Sequence, residues 1–287
     1  MIKQLTIIGV GLIGGSLARA LREAGAVDKI VGAGRDAAHL QRAQELGVID
    51  RFETDPAEAV RGADMVLLAV PVGAMEAVMR AIKPQLSADA VLTDAGSTKG
   101  SVIETARRVF GELPANFVPG HPIAGTENSG VEASFAELYR DRRVILTPTG
   151  ASSVEAIERV RALWQAAGAE VLEMDAGHHD RVLAATSHLP HLLAFSLVDT
   201  LAKMDDKEEI FAYAAGGFRD FTRIASSDPH MWRDICVHNE PALLAMLDRF
   251  ETDLKRLREA IANDDGEYLQ KVFGRAKAAR DCFCDNE

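Results

Sequence analysis

The sequence of 287 residues is poor in cysteine, aromatic residues and positive charge. Its three cysteines, Cys236, Cys282 and Cys284, cannot form the disulfide framework of a small secreted protein, and their scatter fits a reducing cytoplasm. Lys and Arg total 32 against 43 Asp and Glu, so the formal net charge is -11. This charge argues against a general nucleic-acid or anionic-membrane surface, and an anionic ligand must therefore be held by a few placed cations.

Signal segments, long apolar runs, repeats and low-complexity tracts are also lacking. No apolar run approaches the roughly 20 residues of a membrane helix, and no signal-like segment precedes the first strand pattern. We therefore expect a cytoplasmic protein without a membrane partner. Cys282-Phe283-Cys284 has no further Cys or His at ligand spacing, so we expect no metal site.

Strand and helix patterns alternate from residue 1 to residue 174. The run Met65–Val70 is apolar throughout, as expected of a strand covered on both faces. This alternation predicts an α/β fold, with an N-terminal Rossmann-type, mostly parallel sheet in a dinucleotide-binding domain, 1–174. Residues 175–287 show helix patterns only and predict an all-helical second domain. Its first long helix contains Pro190, where we expect a kink.

The strongest local motif is Gly9-x-Gly11-x-x-Gly14, which follows a strand pattern and opens a helix. Gly9 permits the tight turn, Gly11 lets the backbone approach a pyrophosphate, and Gly14 lets helix and strand pack closely. In this context the motif predicts a dinucleotide site rather than a structural turn. The residues predicted to contact the cofactor are Gly9, Gly11, Leu12, Ile13, Gly14, Gly34, Arg35, Val70 and Pro71.

The end of the second strand bears on the choice between NAD and NADP. An acidic residue there would bind the ribose hydroxyls, whereas an arginine would accommodate the 2′-phosphate. The sequence has Gly34 where the acid is expected, followed by Arg35. Asp36 could be the ribose acid, but a cap for the helix beginning at Ala37 fits it better. The pattern favours NADP, with NAD as the alternative.

Two polar segments follow strands whose carboxyl ends should face the ligand. One carries Ser97, which is either a helix cap or a site residue. The other carries His121 on a glycine-rich stretch where packing gives no reason for a histidine. Its near-neutral titration suits it to take a proton from a substrate hydroxyl while hydride leaves the same carbon.

The helical region offers a second set of polar residues. Ser187 and His191 are four apart and share a helix face, as do Arg219 and Arg223. Asp220 could orient Arg223, and the apolar neighbours of this cluster suggest a half-buried helix rather than a solvated one. A cation there, with His191, would hold a substrate carboxylate. His188 and Trp232 fit packed positions.

These residues resemble the motifs of the prephenate/arogenate dehydrogenase (TyrA) family over nearly the whole length. The matching motifs are Gly9-x-Gly11-x-x-Gly14-Gly15, Asp94-x-x-Ser97-x-Lys99, Gly120-His121-Pro122-x-x-Gly125-x-Glu127, Ser187-His188-Leu189-Pro190-His191 and Phe218-Arg219-Asp220-Phe221-Thr222-Arg223-Ile224-Ala225. The resemblance implies oxidative decarboxylation of prephenate or arogenate with hydride transfer to NAD(P), in tyrosine biosynthesis.

The resemblance also implies roles for individual residues. His121 would deprotonate the 4-hydroxyl, and Ser97 would help to hold it. Arg223 would bind a substrate carboxylate with Asp220 keeping it in place, while Ser187, His191 and Glu127 would lie around the substrate. A homodimer through the helical domain would use the apolar stripe from Leu244 to Ile261.

Alternatives remain open at the level of sequence. A sensor that binds NADP without turnover would explain the glycine turn but not His121 together with Ser97 and the arginine pair. A β-hydroxyacid-type dehydrogenase would need a lysine base on a helix of the second domain, and no lysine is placed that way. Asp141 could favour the ammonium of arogenate or could simply be a solvated loop charge, so the substrate choice is not settled.

Overall fold

Strands and helices alternate in the first part of the computed structural model, which describes residues 1–284. Two compact units are present, Met1–Glu240 and Pro241–Glu287. The last described strand ends at Glu173, and the regular elements from there to Cys284 are all helices. The α/β fold class with a helical C-terminal region is therefore confirmed. The assignment of cofactor binding to residues 1–174, and of substrate and dimer contacts to residues 175–287, stays a prediction.

Six parallel strands form the main sheet, in the order β3-β2-β1-β4-β5-β6. A second sheet has the order β7-β8-β9, with β7 antiparallel to β8. The strands are β1 Ile2–Ile8, β2 Val27–Ala33, β3 Arg51–Glu53, β4 Met65–Leu68, β5 Val91–Asp94, β6 Phe117–Val118, β7 Gly120–Pro122, β8 Arg143–Leu146 and β9 Glu170–Glu173. The order reverses between β1 and β4, which is where such sheets bind nucleotides.

The helices of the first unit cover both faces of the main sheet and then continue as a helical layer. They are α1 Leu12–Glu23, α2 Ala37–Glu45, α3 Pro56–Ala59, α4 Met75–Ile82, α5 Gly100–Phe110, α6 Val154–Ala166, α7 Ala176–Leu183, α8 Leu189–Ala202, α9 Lys207–Ala212, α10 Gly216–Thr222 and α11 Pro229–His238. Two further helices, α12 Glu240–Ala262 and α13 Gly266–Cys284, make up nearly all of the second unit.

Two apolar layers explain the uninterrupted hydrophobic run of β4. Met65 and Leu67 belong to one layer, while Val66 and Leu68 belong to the other. All four side chains are fully buried because helices cover both faces of the strand. The prediction from this run is confirmed. The short edge strand β3 and the four-residue α3 carry too little pattern to be read from the sequence, and they were missed.

His121 lies in a strand, not in the glycine-rich loop that the sequence suggested. The backbone leaves the main sheet at Pro119 and joins the second sheet as β7, where His121 pairs with Ile145. The side chain is 8% exposed. Packing therefore restrains this histidine, and the expectation of a loop position is wrong.

The long helix of the helical layer contains a π-helical turn, Ala184–His188, between α7 and α8. The amide of Leu189 donates to the carbonyl of Ala184, five residues back, just before Pro190. The irregularity therefore precedes Pro190, and such turns are frequent at functional sites.

By length and composition alone, Ala176–Ala202 could cross a membrane, which departs from the expectation of no span-length apolar run. This observation is weak because core helices of soluble proteins meet the same criteria. The stretch also carries His179, Asp180 and His188, whose side chains are buried in polar contacts.

Helix α10 lies at the surface and has no buried residue. Phe218 and Ile224 are partly buried, whereas Phe221 is 48% exposed, so the expectation of a half-buried segment holds for two of its three apolar residues. In the second unit, the predicted apolar stripe is largely uncovered as well. Leu244, Leu254 and Ile261 are all about half exposed or more.

Candidate active site

The glycine turn after β1 is built for close backbone approach. Gly9 has φ +99°, and a Cβ there would lie 2.4 Å from the carbonyl oxygen of Ala69. A Cβ on Gly14 would lie 2.4 Å from the carbonyl oxygen of Gly9. Gly11 instead borders open space, and as the N-cap of α1 it supplies no side chain to the helix N–H groups. This cradle fits the pyrophosphate of a dinucleotide.

The remaining predicted cofactor residues either follow this turn in the sequence or lie at the ends of the two strands that flank β1. Leu12 and Ile13 form the first turn of α1, and Val70 and Pro71 follow the neighbouring strand β4. Gly34 and Arg35 follow β2, which lies on the other side of β1. All of them thus lie at the carboxyl edge of the sheet, next to its switch point.

Asp36 caps α2, as the sequence favoured, since its carboxylate accepts hydrogen bonds from the amides of Ala38 and His39. Arg35 is exposed and makes no hydrogen bond or ion pair with any described residue. The His39 ring, which the sequence gave no reason to single out, lies 2.8 Å from the carbonyl oxygen of Val10 in the glycine turn.

A buried ion pair fixes the backbone beside His121. Lys99 and Asp94 contact each other with both side chains fully buried. Nζ of Lys99 also donates to the carbonyl of Gly120 at 2.6 Å, and Oδ1 of Asp94 accepts from the Gly120 amide at 3.2 Å. The pair therefore holds both polar groups of the residue that precedes His121.

Behind His121 lies a triad of side chains, His121, His179 and Asp180. Nδ1 of His121 is 2.9 Å from Nε2 of His179, and Nδ1 of His179 is 2.8 Å from Oδ1 of Asp180. The carboxylate of Asp180 also accepts the amides of Lys99 and Gly100, both at 2.8 Å. It thus closes the N-terminus of α5, which leaves no capping role for Ser97.

Burial keeps the histidines of this region neutral. Desolvation is the main reason that the pKa of His121 is well below its usual value, and the charges of His179, Lys99 and His188 lower it further. Burial also lowers the pKa of His179, and it lowers that of His188 to about 4. A neutral His121 can accept a proton at physiological pH.

Ser187 and His191 share a face, as predicted from their spacing. Nδ1 of His191 is 2.9 Å from the carbonyl oxygen of Ser187, and its ring stacks on Trp232 with centroids 3.6 Å apart. Burial lowers the pKa of His191, and the positive charge of Arg223 contributes to the same direction. Because the Ser187 carbonyl engages Nδ1, a neutral His191 offers an acceptor at Nε2 rather than a second cation.

His188 and Trp232 are packed, as the sequence suggested. Nδ1 of His188 accepts from the side-chain amide of Asn239, which also donates to the backbone carbonyl of Asp180. Trp232 is 8% exposed. Asn239 therefore ties α7 to the end of α11, a contact that no sequence pattern indicated.

Arg223 pairs with Glu127, and this differs from the predicted partner. Nη1 of Arg223 lies 3.4 Å from Oε2 of Glu127, on the segment that follows His121. No hydrogen bond or ion pair links Asp220 to Arg223 in the part of the chain that the structure describes. Asp220 and Arg219 are exposed on α10. The expectation that Asp220 orients Arg223 is therefore wrong in this conformation.

Two polar contacts connect the two halves of the site. The ion pair of Arg223 with Glu127 joins the helical layer to the segment that follows His121. The hydrogen bond between His121 and His179 joins β7 to α7. Ser97 is half buried and lies three residues after Asp94, the last residue of β5.

His179 and Asp180 were missed as functional residues by sequence reasoning. The signal that could have found them is His178-His179-Asp180, two histidines and an acid in the first turns of a helix that follows the last strand. Among the described residues, no group of three or more His, Cys, Asp or Glu side chains could hold a metal ion.

Comparison with known proteins gives the same picture over the whole length. Residues 17–173 match the nucleotide-binding domain of prephenate dehydrogenase, and residues 175–275 match its dimerization domain. The cyclohexadienyl dehydrogenase of Zymomonas mobilis is 45% identical over 97% of this chain and 95% of its own length. The prephenate dehydrogenase of Bacillus subtilis is 35% identical over 96% of this chain and 75% of its own length.

A solved structure resembles the fold closely. The prephenate dehydrogenase of Aquifex aeolicus, in complex with hydroxyphenyl propionate and NAD+, is 39% identical, with a TM-score of 0.90 over 98% of both chains. The arogenate dehydrogenase of Synechocystis is 26% identical, with a TM-score of 0.80 over 98% of this chain and 99% of its own. With its dinucleotide cradle and its buried histidine at one sheet edge, the chain belongs to the prephenate dehydrogenase family of NAD(P)-dependent oxidoreductases.

Proposed function

We propose that this protein oxidatively decarboxylates prephenate, arogenate or both, giving 4-hydroxyphenylpyruvate or tyrosine. The observation that carries the proposal is the neutral, buried His121, which lies beyond the carboxyl end of β6 and whose Nε2 has no hydrogen bond to any described residue. A sensor without turnover would have no use for such a base. The family membership and the relatives named for this activity support the enzyme over the sensor.

The reaction needs proton removal, hydride removal and loss of carbon dioxide from one ring. A nicotinamide cofactor held by the glycine turn at Gly9, Gly11 and Gly14 would supply the hydride acceptor for ring C4. Nε2 of His121 takes the proton of the 4-hydroxyl, which becomes a carbonyl, and Ser97 holds the same hydroxyl. As carbon dioxide leaves, the electrons of the broken carbon–carbon bond move through the ring onto the carbonyl oxygen, so the ring becomes aromatic. The protonated His121 returns its proton to this oxygen, which gives the phenol of the product. The protein therefore needs to contribute only substrate positioning and one general base to this reaction.

An initial-rate assay of both substrates with both cofactors tests the proposal. We expect reduction of NAD(P) together with release of carbon dioxide and an aromatic product. Cofactor binding without turnover of either substrate would establish the sensor instead. The same four assays measure the substrate preference. Asp141 is an exposed loop residue, and its position does not favour either substrate.

We also propose that NADP is the preferred cofactor and NAD the poorer one. Arg35 is exposed at the end of β2 and free of partners among the described residues, so it is available to a 2′-phosphate. Replacing Arg35 by Ala should raise the KM for NADP roughly 10-fold or more, because a charge-assisted hydrogen bond contributes about 1.5–3 kcal/mol. The KM for NAD should change little.

Cofactor titrations of wild type, Arg35→Ala and Arg61→Ala measure this selectivity. Arg61 is an exposed arginine before the amino end of β4, away from the cradle, and its replacement should leave both KM values unchanged. Equal losses with NADP and NAD in the Arg35 variant would contradict the proposed preference.

On the substrate side, we propose that Arg223 binds a carboxylate, with Ser187, His191, Glu127 and Arg219 around it. The ion pair with Glu127 is exposed on both sides, so a substrate carboxylate can replace Glu127 with little loss. Asp220 stays a proposed pocket residue without a role in orienting Arg223. Ser187 and His191 present their shared face from the π-turn and the start of α8.

Replacing Arg223 by Ala should raise the KM for the substrate roughly 10- to 100-fold and lower kcat much less, because the lost contact is made before the chemistry. Steady-state kinetics at saturating cofactor measures the change. Arg107→Ala removes an exposed arginine whose one ion pair among the described residues is with Glu104, and it serves as the control. An unchanged KM in the Arg223 variant would remove this residue from the site.

Finally, we propose a cytoplasmic homodimer in which residues 1–174 bind the cofactor, while residues 175–287 contribute substrate and dimer contacts. The match of residues 175–275 to a dimerization domain supports this assembly. So does the exposure of Leu244, Leu254 and Ile261, since a second copy would remove that apolar surface from water. Sedimentation equilibrium measures the molar mass and decides between monomer and dimer.

A further inference from the structure

The proposed reaction uses only Nε2 of His121, yet a second buried histidine and a carboxylate lie behind the ring. His179 is fully buried and contacts Nδ1 of His121, the nitrogen away from the reacting proton. The other ring nitrogen of His179, Nδ1, contacts the carboxylate of Asp180, so both nitrogens of this ring have a partner. The carboxylate of Asp180 determines which nitrogen of each ring donates and which accepts in this triad.

Asp180 can only accept hydrogen bonds. Its Oδ1 accepts the amide of Lys99 and its Oδ2 accepts the amide of Gly100, at the N-terminus of α5. Although burial acts to raise its pKa, the hydrogen bonds from His179 and from these two amides outweigh burial and lower the pKa. An ionised carboxylate has no proton to donate. Nδ1 of His179, 2.8 Å from Oδ1, must therefore be the donor.

The tautomers of both rings follow from this direction. Burial lowers the pKa of His179, so the ring is neutral, and with its proton on Nδ1 its Nε2 is a bare acceptor. Nδ1 of His121, 2.9 Å from that acceptor, must then carry a proton. A neutral His121 protonated on Nδ1 has its lone pair on Nε2, where a base needs it.

We propose that His179 and Asp180 are positioning residues that fix His121 in the Nδ1-protonated tautomer, with Nε2 directed to the substrate hydroxyl. Neither residue touches the substrate, and both act through His121. The inference rests on the proposed role of His121 as the base. In the Ser-His-Asp triad of hydrolases, a buried acid fixes the tautomer of the histidine in the same way, and losing the correct tautomer there lowers kcat strongly.

The variants His179→Gln and His179→Leu separate positioning from packing. The Oε1 atom of Gln can still accept from Nδ1 of His121, so this variant should retain the tautomer and most of kcat. Leu fills similar space but offers no acceptor. In this variant we expect a mixture of tautomers and a fall in kcat of about 10- to 100-fold, the usual loss when a group that orients a functional histidine is removed. The KM for the cofactor should not change in either variant.

The experiment combines steady-state kinetics with ¹⁵N NMR of histidine-labelled, cofactor-bound protein, with the His121 signals assigned from their loss in His121→Asn. In the wild type we expect a protonated Nδ1 and an unprotonated Nε2 on His121. His178→Leu, at an exposed position of the same helix, is the control and should change neither readout.

A wild-type His121 protonated at Nε2 would overturn the inference, even if the Leu variant failed to fold. Equal losses of kcat in the Gln and Leu variants, with the tautomer unchanged, would overturn it as well. If the wild type turned over neither substrate, the proposed function would fail, whereas the NMR result would still decide how His121 is protonated.

Discussion

Replacing His121 by Asn is expected to lower kcat roughly 100-fold or more, with little change in the KM for the substrate. Asn matches part of the ring in size and can donate and accept hydrogen bonds, but it cannot remove the hydroxyl proton. Steady-state kinetics with the preferred substrate and cofactor measures both parameters. The control His178→Asn changes an exposed histidine of α7 and should retain wild-type rates. A variant that lost only affinity would show that His121 binds the substrate but is not the base.

The same residue sets an expectation for pH. The base must be neutral, so activity falls as the pH drops through the pKa of His121. Desolvation holds this pKa well below 6.5, and the charges of His179, Lys99 and His188 act in the same direction. The acid limb of the profile of kcat/KM should therefore lie well below pH 6.5. A limb at or above pH 6.5 would contradict the neutral, buried imidazole.

Replacing Lys99 by Met is expected to lower the free energy of unfolding by about 3–5 kcal/mol, because the carboxylate of Asp94 would stay buried without its counter-charge. The amides of Gly96 and Gly120 would still donate to that carboxylate, but they cannot replace a full positive charge. Urea denaturation measures the loss. The activity should fall as well, since Nζ of Lys99 also holds the carbonyl of Gly120 next to His121.

The double variant Asp94→Asn with Lys99→Met removes both charges and should recover most of the lost stability. Lys203→Met is the surface control, because its pair with Asp199 is exposed on both sides and should contribute little. A double variant as unstable as Lys99→Met alone would show that the effect comes from lost packing rather than from an unpaired charge.

Local patterns were sufficient for the nucleotide half of the protein. The glycine turn, the apolar strand β4 and the cap at Asp36 depend on residues within a few positions of one another. Steric limits and hydrogen bonding act over the same short range, so the sequence reports them directly. His121 and Arg223 could be named as candidates because each stands out by residue type within a recognisable motif.

Only the tertiary structure decided which of these residues meet. His121 lies 58 residues from His179, Lys99 lies 81 from Asp180, and Arg223 lies 96 from Glu127. Asp220, which is near Arg223 in sequence, has no hydrogen bond or ion pair with it among the described residues, whereas Glu127 on the segment after β7 pairs with it. Chemistry that depends on hydrogen bonds between distant segments is fixed by how sheets and helices pack. His121 could therefore be chosen as the candidate base from the sequence, whereas its burial, its contact with His179 and its lowered pKa belong to the fold.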